Sequence, residues 1–148
     1  MPLNKLEKSI RIVLDTNNFI SAQISNVGPS YQIFRMFKNE KIQIVTSDFQ
    51  IKELERVLGY KRIAKKFKIS QKKSGRIILL VHRRAKVIKP KMIPNVVKND
   101  PDDDNILAIA KAGKVSYIVS GDEHLLGLKK FEGIPVVAAK EFVEKIGY

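Results

Sequence analysis

The 148-residue sequence predicts an α/β fold, a parallel sheet covered by helices on both faces. Three observations lead there. Short apolar runs alternate with amphipathic stretches from one end of the chain to the other. The runs are apolar throughout rather than apolar at every second position, as strands buried on both sides are. Two of them end abruptly in Asp or Ser-Gly-Asp, at the strand ends where ligands gather in such sheets. The length suits one domain, residues 1–148, and no linker-like stretch divides it.

Ile12-Val13-Leu14 reads as a buried strand ending in the polar loop Asp15-Thr16-Asn17. Gly28-Pro29-Ser30 turns the chain into an amphipathic helix carrying Ile33, Phe34 and Phe37. Residues 42–45 form the second strand, after which Ser47 caps a helix with apolar positions Phe49, Leu54, Val57 and Leu58 and a stop at Gly59. A basic helical stretch covers 62–67, and Ser70 caps a longer helix through 77–81, weakened by Gly75. Val87-Ile88 is a short strand, and 90–101 should be mostly loop because its prolines cannot donate to a ladder. Asp102, Asp103 or Asp104 starts a helix through Ile106, Leu107, Ile109 and Ala110 to Gly113, its acids well placed for the helix dipole. Tyr117-Ile118-Val119 is a strand closed by Ser120-Gly121-Asp122, 135–137 is another, and 139–146 makes the last helix.

Composition narrows the function. With 44% hydrophobic residues the chain can bury a core, which excludes a disordered tail. No apolar run approaches the ~18 residues of a membrane helix, and the first ten residues lack the apolar centre of a signal peptide, so no membrane partner and a cytoplasmic location are expected. The absence of cysteine removes disulfides, thiol catalysis and Cys-based zinc sites, and two histidines, His82 and His124, cannot build a His-rich metal site. Any metal must be held by oxygen. The net charge of +13 is concentrated: residues 56–99 hold 15 Lys and Arg and no acid. Such a segment points to a polyanion, bound through phosphates in a salt-dependent way. Lys61, Arg62, Lys65, Lys66, Lys72, Lys73, Arg83 and Arg84 are the candidate nucleic-acid-binding residues.

Four acids complement that charge. Asp15 and Asp122 follow strands directly; Glu53 shares a helical row with Phe49 and Val57; Asp104 precedes Leu107 and Ala108 by three and four residues and so points inward. Each alone has an ordinary structural role, as turn residue, surface partner or helix cap. Together they would repel unless a cation neutralised them, and an oxygen-only set selects Mg²⁺ or Mn²⁺, ions suited to phosphodiester hydrolysis.

Val13-Leu14-Asp15-Thr16-Asn17, the helix acid Glu53, the run Asp100-Pro101-Asp102-Asp103-Asp104-Asn105-Ile106-Leu107-Ala108 and Ile118-Val119-Ser120-Gly121-Asp122 resemble, in order, the PIN-domain ribonucleases. The resemblance covers nearly the whole chain, about residues 10–147, and is similar to the toxin-type branch, the virulence-associated protein C toxins, down to Gly133-Ile134-Pro135 and Glu141-Phe142. It implies a three-layer α/β/α fold with a central parallel five-stranded sheet and Mg²⁺- or Mn²⁺-dependent cleavage of single-stranded RNA. It also implies that Asp15, Glu53, Asp104 and Asp122 are the catalytic, metal-binding acids. Thr16 would steady the site by hydrogen bonding, and Asn17 and Ser120 would support it as polar neighbours. A homodimer and a small antitoxin protein whose tail blocks the acids are the implied assemblies. The sequence departs from the pattern at His124, where relatives often carry a further acid, and so lacks that ligand for a second metal.

The expected reaction is in-line hydrolysis leaving a 5′-phosphate and a 3′-hydroxyl. A haloacid-dehalogenase-type phosphatase would need an Asp where Asn17 stands, and a receiver domain would need a phosphoacceptor Asp after a middle strand. The remaining alternatives keep the fold: a non-catalytic RNA-binding protein, or an RNA-processing nuclease outside any toxin–antitoxin pair.

Overall fold

Residues 10–91 and 101–146 are described by a computed structural model. In chain order they form β1 (Arg11–Leu14), α1 (Thr16–Ile24), α2 (Pro29–Lys38), β2 (Gln43–Ser47), α3 (Asp48–Leu58), α4 (Lys61–Phe67), α5 (Gln71–Arg84) and β3 (Lys86–Ile88), followed by α6 (Pro101–Gly113), β4 (Tyr117–Val119), α7 (Glu123–Gly127), β5 (Lys130–Phe131), β6 (Ile134–Val137) and α8 (Ala139–Ile146). The strand order is β3-β2-β1-β4-β6-β5. The first five strands in that order are parallel, as expected; β5 is a two-residue antiparallel strand added at the edge beside β6. The chain leaves β1 in one direction to build β2 and β3 and later returns to the other side to lay down β4, so the order reverses between β1 and β4. That gap is where an open α/β sheet forms its ligand crevice.

Alternating strand residues divide the interior into two cores. Ile12 and Leu14 of β1 and Ile44 of β2 face a large layer in which Phe19, Phe34, Phe37, Leu54, Ile77 and Phe142 pack. Val13, Val45 and Ile118 face the opposite layer, built on Leu107, Ile109 and Ala110 of α6 with Leu125. The result is α/β/α layering. Tyr117 lies edge-on to the fully buried Phe142 with ring centres 5.3 Å apart, a contact that ties β4 to α8. Helix α6 ends so close to β2 that a Cβ on Gly113 would stand 2.7 Å from Val45 Cγ1, so only glycine lets the two meet.

The structure corrects several local expectations. Asp15-Thr16-Asn17 opens α1 rather than a loop, because the Asp15 side chain caps the helix and Phe19, Ile20 and Ala22 then bury one face of it. Short α7 and β5 follow Asp122, where no element was expected. Helix α6 begins at Pro101, ahead of the three aspartates read as its start, so Asp104 lies inside the helix and is not its cap. Phe49 is 49% exposed instead of joining the core. Most of the loop expected over 90–101 lies outside the described residues. Among the described residues no helix is long and apolar enough to cross a membrane.

Candidate active site

Asp15 is the first residue after β1, and its backbone N–H donates to Val119 O at the end of β4, 2.9 Å away. The carboxylate is therefore fixed at the crevice between the two strands. Its Oδ2 accepts a 2.6 Å hydrogen bond from the Ser120 hydroxyl, and its Oδ1 accepts from the Asn17 N–H at 3.4 Å. The same Ser120 Oγ accepts from the Asp122 N–H at 3.0 Å, so one hydroxyl joins the loops that carry the two acids. Asp122 in turn caps α7, its Oδ1 accepting from His124 N–H at 2.8 Å and Leu125 N–H at 3.2 Å. Burial pushes the Asp15 carboxyl above its ordinary value; the Ser120 hydroxyl and the Asn17 N–H oppose this, while the Asp122 charge adds to it.

Behind this pair, α3 grips the chain on both flanks of Asp15. The Thr16 hydroxyl donates to Glu53 Oε1 at 2.6 Å. Gln50, one turn earlier on the same helix, donates from Nε2 to Leu14 O at 2.7 Å and accepts from the Thr46 hydroxyl at 2.5 Å. Gln50 is buried and was not singled out in the sequence; its signal was a polar residue three positions before Glu53 on an otherwise apolar face. Asn18, also missed, is buried beside Asp15 and donates to Ser30 Oγ at 3.0 Å.

A cleft of about 390 Å³ opens over these groups, walled by Asp15, Asn17, Asn18 and Ser21 on one side and Gly121, Asp122 and Glu123 on the other. Asp104 is buried in α6, the helix that packs under β1, β2 and β4, with Asp103 buried next to it. Thus Asp15 and Asp122 come together, Glu53 joins through Thr16, and Asp104 occupies the neighbouring helix. Among the described residues no three Asp, Glu or His side chains close into a metal cage by themselves. His124 is exposed, and its backbone serves Asp122.

The basic side chains divide between two ends of the molecule. Lys61, Arg62, Lys65 and Lys66 of α4 and Lys72 of α5 are on the surface, and Lys73 Nζ donates to Gln23 O at 3.2 Å, close to the end of α1. Arg83 and Arg84 line a pocket with Glu40 and Gln43, where β2 begins, which is the end of the sheet opposite the carboxylates. Arg84 is held there by Lys38 O and by Glu40, 3.8 Å away.

Acids gathered over the reversal point of a doubly wound sheet define an α/β protein with an acidic ligand site. The chain belongs to the PIN-domain family, whose pattern matches residues 11–124, a stretch that contains all four acids; PIN domains are generally nucleases. It is 32% identical to the uncharacterized protein MJ1680 of Methanocaldococcus jannaschii, over 97% of this chain and 96% of that one. Its fold is similar to a chain in the crystal structure of VapBC2 from Rickettsia felis bound to a DNA fragment from their promoter, with a TM-score of 0.53, 15% identity and coverage of 87% of this chain and 98% of the other.

Proposed function

We propose that this PIN-domain protein is a metal-dependent endoribonuclease that cleaves single-stranded RNA, and that it acts in the cytoplasm as the toxin of a toxin–antitoxin pair. The observation that carries the nuclease reading is the Asp15–Ser120–Asp122 arrangement at the sheet's reversal point: a carboxylate raised by burial and by a neighbouring acid. Carboxylate oxygens without sulfur or imidazole fit a hard divalent cation, and Mg²⁺ in particular is held by one or two carboxylates with water and substrate phosphate completing its shell. Asp15 and Asp122, with Glu53 and Asp104 as the further acids, would hold Mg²⁺ or Mn²⁺. Such an ion supplies Lewis-acid polarisation of the phosphodiester and a lowered pKa for bound water.

The chain's own groups prepare the site. Ser120 fixes Asp15 Oδ2, Thr16 orients Glu53, and Gln50 anchors the carbonyl of the residue before Asp15, so the acids keep their places as substrate enters. Exposed lysines and arginines of α4 and the start of α5 attract the RNA backbone without reading its sequence. Arg83 and Arg84, at the far end of the sheet, serve best as a remote electrostatic contact. The toxin assignment draws support from the likeness in fold to the VapBC2 structure; a small antitoxin and a second copy of this chain are the proposed partners.

A non-catalytic RNA-binding reading rests on the exposed lysines and arginines of α4, which would hold RNA whether or not the acids cleave it. Cleavage of a labelled single-stranded RNA in Mn²⁺, Mg²⁺ or EDTA decides between the two, with wild type beside Asp15→Asn and Asp104→Asn. The nuclease reading expects metal-dependent products from wild type alone. Salt-sensitive binding by all three proteins without products would transfer the assignment to the binding protein.

A further inference from the structure

Phe49 is the most exposed of the phenylalanines. Phe19, Phe37 and Phe142 are fully buried, whereas Phe49 is 49% exposed in the first turn of α3. It lies four residues before Glu53, on the same side of that helix. It borders a depression of about 260 Å³ at the C-terminal ends of β2 and β3, where Ser47 and Ile88 stand in register. Ile88 and Pro90 add apolar wall, Lys89 adds a cation, and Asn105, the neighbour of Asp104, adds an amide. Asp48 contributes one acid to the rim. Since β2 is adjacent to β1 and strands lie about 4.8 Å apart, the depression is roughly 5–10 Å along the sheet edge from Asp15.

A single exposed apolar side chain needs no explanation by itself. An aromatic ring at the ligand edge of the sheet, with a cation in the same hollow, has the chemistry that receives an unstacked nucleobase. The ring stacks and the lysine meets the phosphate. We infer that Phe49 is a base-stacking residue and that this depression holds the base of a nucleotide flanking the cleaved phosphodiester. The inference rests on the ribonuclease reading and deepens it: the acids act on the backbone, and Phe49 holds a base beside them.

Fluorescence anisotropy in an Asp15→Asn background tests it, using a single-stranded RNA and an abasic ribose-phosphate strand of equal length. Phe49→Ala should weaken binding of the RNA about 5- to 150-fold, the range for removal of one base–aromatic stack, and leave the abasic strand unaffected. Phe49→Tyr should restore binding. Because the sequence contains no tryptophan, Phe49→Trp gives a single reporter whose emission should be quenched by the RNA and not by the abasic strand. Equal RNA affinity in Phe49→Ala, or an unchanged Phe49→Trp emission at saturating RNA, overturns the inference while leaving the nuclease intact. A parent protein that neither binds nor cleaves RNA removes the proposed function, and this inference with it.

Discussion

At the C-terminal edge of the sheet, Asp15 and Glu53 each accept a 2.6 Å hydrogen bond from a hydroxyl, and the loop carrying Asp122 is pinned to the same serine that holds Asp15. On the outer helices, Lys61, Arg62, Lys65, Lys66 and Lys72 project into solvent on long flexible stems. The two regions use charge differently. At the edge, position is fixed by bonds among residues far apart in sequence, and burial makes the Asp15 charge expensive to hold. On the helices, number and sign matter more than position, because counterion release depends on how many phosphates are met. The acidic edge should therefore respond steeply to single substitutions and the basic face shallowly.

The largest expected effect is on the acids. Asp15→Asn preserves shape and one of the two acceptor oxygens while removing the charge, and should lower cleavage by about 10³-fold or more, several kcal/mol of transition-state stabilisation. Single-turnover cleavage of labelled RNA measures it. Ser120→Ala and Thr16→Val leave the acids in place but release them from their hydroxyl partners; a loss of about 10- to 100-fold is expected, with a matching rise in the Mn²⁺ concentration needed for half-maximal rate. Lys65→Gln with Lys66→Gln should lower RNA affinity only a few-fold and reduce the salt slope by about 0.7 for each phosphate no longer neutralised, read from binding across a salt series. A basic pair as costly as Asp15 would break the comparison.

How legible these regions were in the sequence follows from the same contrast. Asp15 and Asp122 could be found because an Asp closing an apolar strand is a local pattern, and the chain order of strands and helices led to a parallel sheet. The bonds that make the acids a site could not, since Thr16 and Glu53 are 37 residues apart and Ser120 and Asp15 are 105 apart. Asp15-Thr16-Asn17 fits a turn and a helix cap equally well; the deciding residues, Phe19, Ile20 and Ala22, come later and show their common face only once they are buried. Phe49 has the spacing of a core residue, but in the first turn of α3 it reaches past the sheet, a matter of length rather than period. The positive segment was plain from composition, while the placement of Arg83 and Arg84 at the opposite end depended on the path of α5.

The smallest expected effect sharpens the comparison from the side of stability. Folding raises the Asp15 carboxyl above its ordinary value, through burial first and Asp122 second. A raised folded value means that the folded chain binds this proton more tightly than the unfolded one. The group's contribution is therefore fully present below the unfolded value near 3.8 and is lost as pH rises through the folded one. Above the folded value and in EDTA, ionised Asp15 thus weighs against the fold, and Asp15→Asn should melt above wild type there, with the gap closing toward pH 4. A bound cation favours the ionised form and reverses the sign: Mn²⁺ should raise the wild-type melting temperature and leave Asp15→Asn almost unmoved. Scanning fluorimetry at pH 4, 5.5 and 7, with and without Mn²⁺, reads both effects. No such gap would be expected from the solvated lysines of α4, where Lys65→Gln should leave the melting temperature within about 1 °C at every pH. If Asp15→Asn behaves the same way, the acidic edge carries no stored electrostatic cost, and its charges are as loosely held as those of the basic face.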